Sequence, residues 1–133
     1  AEVVIVNRTV AKAEELAALA RQHQSGSVPV RGVGYADLGD QAFDVVFNAT
    51  SASLTAELPP LSLTAFAPAC LAYELAYGKG LTPFLKLAQQ AGVTRLADGV
   101  GMLAEQAAEA FAWWRGVRPD TAAVIAQLTV PLV

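Results

Sequence analysis

Short apolar runs alternate with helical segments along most of the chain, and this alternation restricts the fold more than any other feature. The first run, Val3–Val6, consists of β-branched residues, as expected for a strand buried on both faces. A helix follows it, beginning near Thr9 and ending before the loop at residues 25–27. Strands that alternate with helices form parallel sheets, so we predict an α/β fold with a doubly wound parallel sheet.

The same patterns predict four more strands and three more helices. The predicted strands cover residues 28–33, 43–47, 69–75 and 93–97. The predicted helices begin at Thr82, near Gly101 and after Asp120. No strand follows the last two helices, so they could dock onto something outside the chain. The chain also opens without Met, directly on a predicted buried strand, and we expect it to be part of a longer protein.

Charge and composition argue against several classes of function. The 133 residues carry a formal net charge of −3, and their lysines and arginines form no run or stripe. We therefore expect neither a nucleic-acid partner nor an anionic membrane surface. Cys70 is the only cysteine and His23 the only histidine, which argues against a disulfide framework and a metal site. No apolar run is long enough to span a bilayer, and we expect a cytoplasmic protein.

The most informative local pattern is Asn7-Arg8-Thr9 with Lys12, at the junction of the first strand and first helix. In a dinucleotide-binding fold the end of the second strand faces the adenosine ribose. An acidic residue there would favour NAD, whereas Asn7 followed by the planar fork of Arg8 favours the 2′-phosphate of NADP. Thr9, Lys12 and the helix N-terminus add donors and charge. Alternatively, Thr9 only caps a helix and the two cations are solvated; the neighbouring strand pattern favours the phosphate site.

A second pattern resembles a phosphate loop, and we reject that interpretation. Residues 99–104 read Gly-Val-Gly-Met-Leu-Ala, which matches the G-x-G-x-x-A dinucleotide fingerprint. Asp120 lies about 20 residues further on, as the fingerprint requires. However, Asp120 precedes a predicted helix and does not end a strand. We expect Gly99 and Gly101 to allow a close approach of another backbone segment.

The helix from Gly101 to Trp114 is apolar nearly all round, which predicts that it is largely buried. Gln106 lies within it on the same face as Met102, and a buried glutamine needs hydrogen-bond partners. Those partners could be nearby backbone or a polyhydroxylated ligand. Glu74 and Tyr77 lie at the carboxyl end of the fourth strand, the edge where open α/β sheets bind ligands, although each could equally be a strand-end cap.

Four segments taken together resemble shikimate dehydrogenase, over nearly the whole chain. They are Val-Asn-Arg-Thr at 6–9, Asn-Ala-Thr-Ser at 48–51, Tyr-Gly-Lys-Gly-Leu-Thr-Pro-Phe-Leu at 77–85, and Ala-Asp-Gly-Val-Gly-Met-Leu at 97–103 with Gln106. The resemblance implies NADP-dependent reduction of 3-dehydroshikimate to shikimate, a step of aromatic amino-acid biosynthesis in the chorismate pathway. The implied cofactor-binding residues are Asn7, Arg8, Thr9, Lys12, Asn48, Ala49, Thr50, Leu75, Gly99 and Met102, and the implied substrate-binding residues are Tyr77 and Gln106.

The resemblance also implies how the chain is divided. Residues 1–98 would form a partial, Rossmann-like NADP-binding domain that lacks its first strand and glycine-rich loop. Residues 99–133 would form helices that close the cofactor and substrate cleft and pack on an N-terminal substrate domain. The family's catalytic Lys–Asp pair belongs to that domain, so we assign no catalytic residue here and expect the fragment to be inactive alone.

The chain departs from the family pattern at three positions, and other kinds of protein share some of its features. Ser53 and Ala56 stand where related sequences often have glycine, and Glu74 stands where aspartate is also common. Glutamyl-tRNA reductase is similar in its Asn-Arg-Thr and Ala-Thr-Ser elements but lacks the segments at 77–85 and 97–103. A quinate/shikimate dehydrogenase of mixed cofactor use is closer to this chain than glutamyl-tRNA reductase is. A non-catalytic NADP-binding sensor domain is the alternative outside enzymes.

Overall fold

The computed structural model describes residues 1–50 and 58–132, and these form two compact units. The first unit is Ala1–Gln41 and the second is Ala42–Val133. The first unit contains β1 (Val3–Val6), α1 (Val10–His23), β2 (Val30–Val33) and a short 3₁₀ helix at Tyr35–Leu38. Its two strands pair in parallel, with Val3 opposite Val30 and Val6 opposite Val33. The predicted strand–helix–strand order at the start of the chain is therefore confirmed.

Helix α1 lies close against this two-stranded sheet because the facing residues are small. Ala13 and Ala17 of α1 are 1% and 0% exposed. A Cβ placed on Gly32 of β2 would lie 2.2 Å from the carbonyl carbon of Ala13, so any side chain there would push the helix off the sheet. The Nη1 of Arg21 donates to the carbonyl oxygen of Val30 at 2.6 Å and ties the end of α1 to β2.

The second unit is built on a three-stranded parallel sheet. Its elements are β3 (Phe43–Asn48), β4 (Phe66–Glu74), α2 (Pro83–Gln90), β5 (Arg95–Ala97), α3 (Val100–Arg115) and α4 (Ala122–Leu128), with a short 3₁₀ turn at Leu63–Ala65. The strand order is β3-β4-β5, and both pairings are parallel. The predicted α/β class, the parallel strands and the order of elements are confirmed.

The core of the second unit lies between β4 and α2. Phe66, Cys70 and Ala72 of β4 pack with Phe84 and Leu85 of α2, with all five side chains at most 7% exposed. The rings of Phe66 and Phe84 are 6.1 Å apart between centroids. Because β4 is packed in this core, the end of the strand, from which the next loop begins, is held in place.

Helix α3 corrects one prediction from the sequence. The prediction that it is largely buried is wrong, because only Val100, Ala104 and Ala108 are buried among its residues. These three lie four residues apart and form a single stripe. Trp113 and Trp114 are 87% and 74% exposed. An apolar sequence all round a helix therefore does not show which sides of the helix its own chain covers.

The junction of α3 and α4 is held by charges. Arg118 donates from Nε to Glu109 at 2.6 Å and from Nη2 to Glu105, and the hydroxyl of Thr121 donates to Glu105 at 2.6 Å. The hydrogen bonds from Thr121 and Arg118 hold the pKa of Glu105 below its ordinary value. In the described part of the chain, no helix is both long enough and apolar enough to cross a membrane.

Candidate functional site

The loop after β1 is organised by Asn7. Its backbone N–H donates to the carbonyl of Val33 at 3.2 Å, and its Oδ1 accepts from the backbone N–H of Thr9 at 2.9 Å. Thr9 is the N-cap residue of α1 in extended conformation, yet within residues 1–50 its side chain makes no capping hydrogen bond. The side chains of Arg8 and Lys12 are exposed on either side of it. The loop therefore presents two cations and a hydroxyl at the start of a 14-residue helix.

This corner has the chemistry of an anion site. The first N–H groups of a helix have no partner within the helix, and its N-terminus carries partial positive charge. No acidic residue lies in the first turn of α1 to oppose an incoming anion. Arg8 adds a planar donor fork, so the corner can hold a phosphate monoester through charge and several hydrogen bonds.

Tyr35 is a neighbour of this corner that the sequence did not point to. It follows β2, and burial raises the pKa of its hydroxyl while the charge of Arg8 acts in the opposite direction. Both residues follow strands that pair in register, so they share the carboxyl edge of this sheet. A signal was available, because an aromatic residue two positions after the second strand lies where a flat ring of a ligand can stack.

A buried polar network lies at the carboxyl ends of β3 and β4. The Oε2 atom of Glu74 accepts from Nδ2 of Asn48 and from the hydroxyl of Thr82, both at 3.0 Å. The Oε1 atom of Glu74 accepts from the backbone N–H of Ala76 at 3.3 Å. Glu74, Asn48 and Thr82 are 0%, 3% and 4% exposed. The sequence marked Asn48 for the cofactor and placed Glu74 at the edge of the sheet where ligands bind, but it did not connect Glu74 with Asn48 or Thr82.

The Asn48 side chain also shapes the loop that follows β3. Its Oδ1 accepts from the hydroxyl of Thr50 at 2.7 Å and from the backbone N–H of Thr50 at 3.2 Å. Its carbonyl accepts from the backbone N–H of Leu75 at 3.1 Å. Ala49 and Thr50 are exposed between these fixed points. Ser51, Ser53 and Ala56 lie outside the described residues.

Gly99 meets the loop after β4 at very close range. A Cβ on Gly99 would lie 2.1 Å from the carbonyl oxygen of Leu75 and 3.3 Å from Cδ1 of Tyr77. The backbone N–H of Gly99 donates to the carbonyl of Ala76 at 3.3 Å. The structure therefore brings Leu75, Tyr77 and Gly99 together, and the close backbone approach expected at Gly99 is confirmed. The same expectation for Gly101 is wrong, because a Cβ there would meet nothing within 4 Å outside the local helix backbone. The ring of Tyr77 remains 47% exposed.

Met102 and Gln106 lie one turn apart on α3, as their spacing predicts, and both are exposed. The expected burial of Gln106 is wrong. Its Nε2 donates to the carbonyl of Leu103 at 2.9 Å, so the partner in this structure is local backbone. An exposed amide held only by its own helix can turn toward a ligand at small cost.

The G-x-G-x-x-A pattern does not form a phosphate loop. Asp120 lies in the link between α3 and α4, where its Oδ1 accepts from the backbone N–H of Ala122 at 3.0 Å. It precedes a helix and does not end a strand. In residues 1–50 and 58–132, no group of three or more His, Cys, Asp and Glu side chains could hold a metal ion.

The chain is similar to shikimate dehydrogenases in sequence and in structure. The family model of the shikimate 5'-dehydrogenase C-terminal domain matches residues 99–129. The shikimate dehydrogenase (NADP(+)) of Nitrosospira multiformis is 56% identical over 128 residues, which cover 96% of this chain and 45% of that protein. Over the matched stretch the chain is similar to the shikimate dehydrogenase family.

Solved structures agree with this family. An Ael1 enzyme from Pseudomonas putida is 61% identical with a TM-score of 0.85, covering 99% of this chain and 47% of that one. A shikimate dehydrogenase in complex with NADP⁺ is 28% identical with a TM-score of 0.75, covering 96% and 45%. The chain thus spans about half the length of the shikimate dehydrogenases it matches. The family model begins to match at Gly99, the residue that meets Leu75.

Proposed function

We propose that this chain is the cofactor-binding part of an NADP-dependent shikimate dehydrogenase, which reduces 3-dehydroshikimate to shikimate. The observation that carries the proposal is the corner at the start of α1, where exposed Arg8 and Lys12 flank a helix N-terminus without an acidic residue. This corner occurs in a chain 56% identical to a protein named shikimate dehydrogenase (NADP(+)). An NAD-preferring site would place a carboxylate near the ribose hydroxyls.

In this proposal the start of α1 holds the adenosine 2′-phosphate. The guanidinium of Arg8 donates in a forked arrangement, and Lys12 adds a point charge one turn along the helix. The hydroxyl of Thr9 and the free N–H groups of the first turn complete the donor set. Asn7 supports the site by holding Thr9 through its own side chain.

The carboxyl edge of the second sheet serves the rest of the cofactor. Asn48, Ala49 and Thr50 lie along the ribose and pyrophosphate, where Asn48 fixes the loop and Ala49 and Thr50 stay exposed. The backbone of Leu75 and Gly99 positions the nicotinamide, and Met102 flanks it from α3. The bound cofactor supplies a hydride for the ring carbonyl of the substrate, and these residues set the direction from which it arrives.

The substrate contacts from this chain are Tyr77 and Gln106. Both side chains are exposed and polar, and Tyr77 lies against Gly99 at the proposed nicotinamide position. A hydroxyl and a carboxamide suit a ligand rich in hydroxyl groups, because each can donate and accept. In this proposal a Lys–Asp pair on an N-terminal substrate domain of the same protein transfers the proton to the reacting oxygen.

We propose that the same substrate domain covers the last two helices. Phe111, Trp113 and Trp114 at the end of α3 are 46%, 87% and 74% exposed, and Val117 just after the helix is 65% exposed. Val124 and Leu128 of α4 add apolar surface. An exposed apolar patch of this kind is typical of a surface that is buried against a partner or another domain.

The full-length protein tests the activity directly. We would mix it with shikimate and NADP⁺ and follow the absorbance of reduced nicotinamide, with quinate and NAD⁺ in parallel. Fast reduction of NADP⁺ by shikimate alone is the expected result. Equal rates with quinate or NAD⁺ would favour a quinate/shikimate dehydrogenase of mixed use. Tight NADP⁺ binding without turnover of any pair would contradict the proposal and favour a sensor domain.

A further inference from the structure

Glu74 occupies a position where a carboxyl group is costly. It ends β4, the central strand of its sheet, and is 0% exposed. A charged or polar group in such a place is tolerated only when hydrogen bonds replace its contacts with water. Among the described residues, Glu74 obtains them from the start of the loop after β3 and from both ends of the turn after β4. An apolar side chain would end the strand without this requirement, so the position calls for a reason beyond packing.

The described donors to Glu74 hold two segments of the chain, and each segment has its own task. Asn48 begins a loop in which Ala49 and Thr50 are exposed. The backbone N–H of Ala76 precedes Tyr77, so that bond sets the start of the turn after β4.

Thr82 closes the far end of the same turn. Its hydroxyl donates to Glu74 and also accepts from the backbone N–H of Leu85 at 3.3 Å, which caps α2. The turn between Ala76 and Thr82 is thus anchored at both ends on one carboxyl group. The loop after β3 is anchored on that same group through Asn48.

We propose that Glu74 is a positioning residue that fixes the loop after β3 and the turn carrying Tyr77 relative to each other. The proposal rests on the proposed function, in which the first segment faces the cofactor and the second faces the substrate. Hydride transfer needs the two ligands in one geometry, and a displacement of about 1 Å can cost on the order of 100-fold in rate. Supporting hydrogen bonds behind contact residues are the usual means of holding such a geometry.

Glu74→Gln in the full-length enzyme is the direct test. The amide keeps the shape but replaces one acceptor oxygen with a donor, which must then face either the Ala76 N–H or the donors from Asn48 and Thr82. We expect kcat/KM for shikimate to fall about 10-fold or more, in line with the cost of misplacement. An unchanged kcat/KM in a folded variant would overturn the proposal.

Thr82 supplies the matched pair of variants. Thr82→Ser keeps the hydroxyl that donates to Glu74, whereas Thr82→Val keeps the shape and removes it. We expect Thr82→Ser to restore most of the kcat/KM that Thr82→Val loses. Equal losses in the two variants would show that packing, and not the hydrogen bond, matters at this position.

A double-mutant cycle with Tyr77→Phe separates positioning from general stability. If Glu74 acts through the turn that carries Tyr77, removing the Tyr77 hydroxyl should cost much less in the Glu74→Gln background than in the wild type. If Glu74 only stabilised the fold, the fold-losses in kcat/KM of the two single variants would multiply in the double variant. Independent losses would therefore contradict the proposal.

Amide hydrogen exchange without any ligand keeps this test separate from that of the proposed function. Glu74→Gln should speed exchange at Thr50 and Ala76, with Ala72 in the middle of β4 as the internal control. Failure of the wild type to oxidise shikimate would remove the proposed function, while faster exchange at both amides would still support the coupling of the two segments. Unchanged exchange at both amides would remove the coupling itself.

Discussion

Gly99 is the residue whose replacement the structure restricts most clearly. Because a Cβ there would lie 2.1 Å from the Leu75 carbonyl oxygen, Gly99→Ala must displace backbone and not merely a flexible side chain. We expect a loss of about 1–3 kcal/mol in the free energy of unfolding. Urea unfolding of the full-length protein measures it.

Gly101→Ala is the matched control for Gly99→Ala. It lies two residues on, inside α3, where a Cβ would meet nothing within 4 Å outside the local helix backbone. Alanine should stabilise the helix at that position by roughly 0.5–1 kcal/mol. Equal destabilisation by both variants would show that the close approach of Gly99 to Leu75 is not what matters.

Cys70 gives a second prediction for a single residue. Its side chain is 1% exposed, and burial raises the pKa of its thiol. Since the thiolate is the reactive form, alkylation should require local opening of the core. We expect the Cys70 peptide of the native full-length protein to react with iodoacetamide at least about 100-fold more slowly than in denaturant, as followed by mass spectrometry. Comparable rates would contradict the described core.

Single residues also show where inference from sequence ends. The cations at Arg8 and Lys12 could be found because charge and helix position are both visible in the sequence. The role of Glu74 could not, because its partners Asn48 and Thr82 are 26 and eight residues away and meet it only in the fold. The exposure of Gln106 was missed for a different reason, since an apolar helix does not reveal which sides remain uncovered.

At the scale of elements, the α3–α4 junction should depend on pH. The hydrogen bonds from Thr121 and Arg118 lower the pKa of Glu105 in the folded chain. At pH values near the ordinary glutamate pKa of about 4.3, Glu105 therefore binds more protons in the unfolded chain than in the folded chain. The stabilisation that Glu105 provides is therefore present above this pH range and is lost as the pH falls through the lower pKa of the folded chain.

Glu105→Gln tests this pH dependence. The variant lacks the titrating group, so the free energy of unfolding of the full-length protein should fall less steeply between about pH 5 and pH 3 than in the wild type. Glu15→Gln, at an exposed position on α1, serves as the control for loss of a surface carboxylate. An identical slope for wild type and Glu105→Gln would contradict the role of this junction.

Element order was predictable, whereas element boundaries were less so. The sequence places the start of β4 at residue 69, because Pro68 cannot donate to a ladder, but the strand begins at Phe66. The structure accommodates Pro68 where the register with β3 shifts, between the Phe43–Phe66 and Val45–Leu71 pairs. Such an irregularity depends on the neighbouring strand and leaves no local signal.

At the scale of the whole molecule, the apolar end of α3 carries a prediction about the full-length protein. If a substrate domain packs there, Trp113 and Trp114 should be protected although they are 87% and 74% exposed in this chain. Hydroxyl-radical labelling with mass spectrometry should modify both rings far more slowly in the native full-length protein than in denaturant. Labelling of the native rings at the denatured rate would contradict the packing.

Cofactor preference is the central claim, and titration of NADP⁺ and NAD⁺ into the full-length protein tests it most directly. We would compare the wild type with Arg8→Ala, using Lys86→Ala on the exposed side of α2 as a control for loss of a surface cation. Charge-assisted hydrogen bonds are worth about 1.5–3 kcal/mol, so Arg8→Ala should weaken NADP⁺ binding by about 10- to 100-fold. NAD⁺ binding should change little, and Lys86→Ala should affect neither cofactor. Equal losses for NADP⁺ and NAD⁺ in Arg8→Ala would contradict the phosphate site at the start of α1.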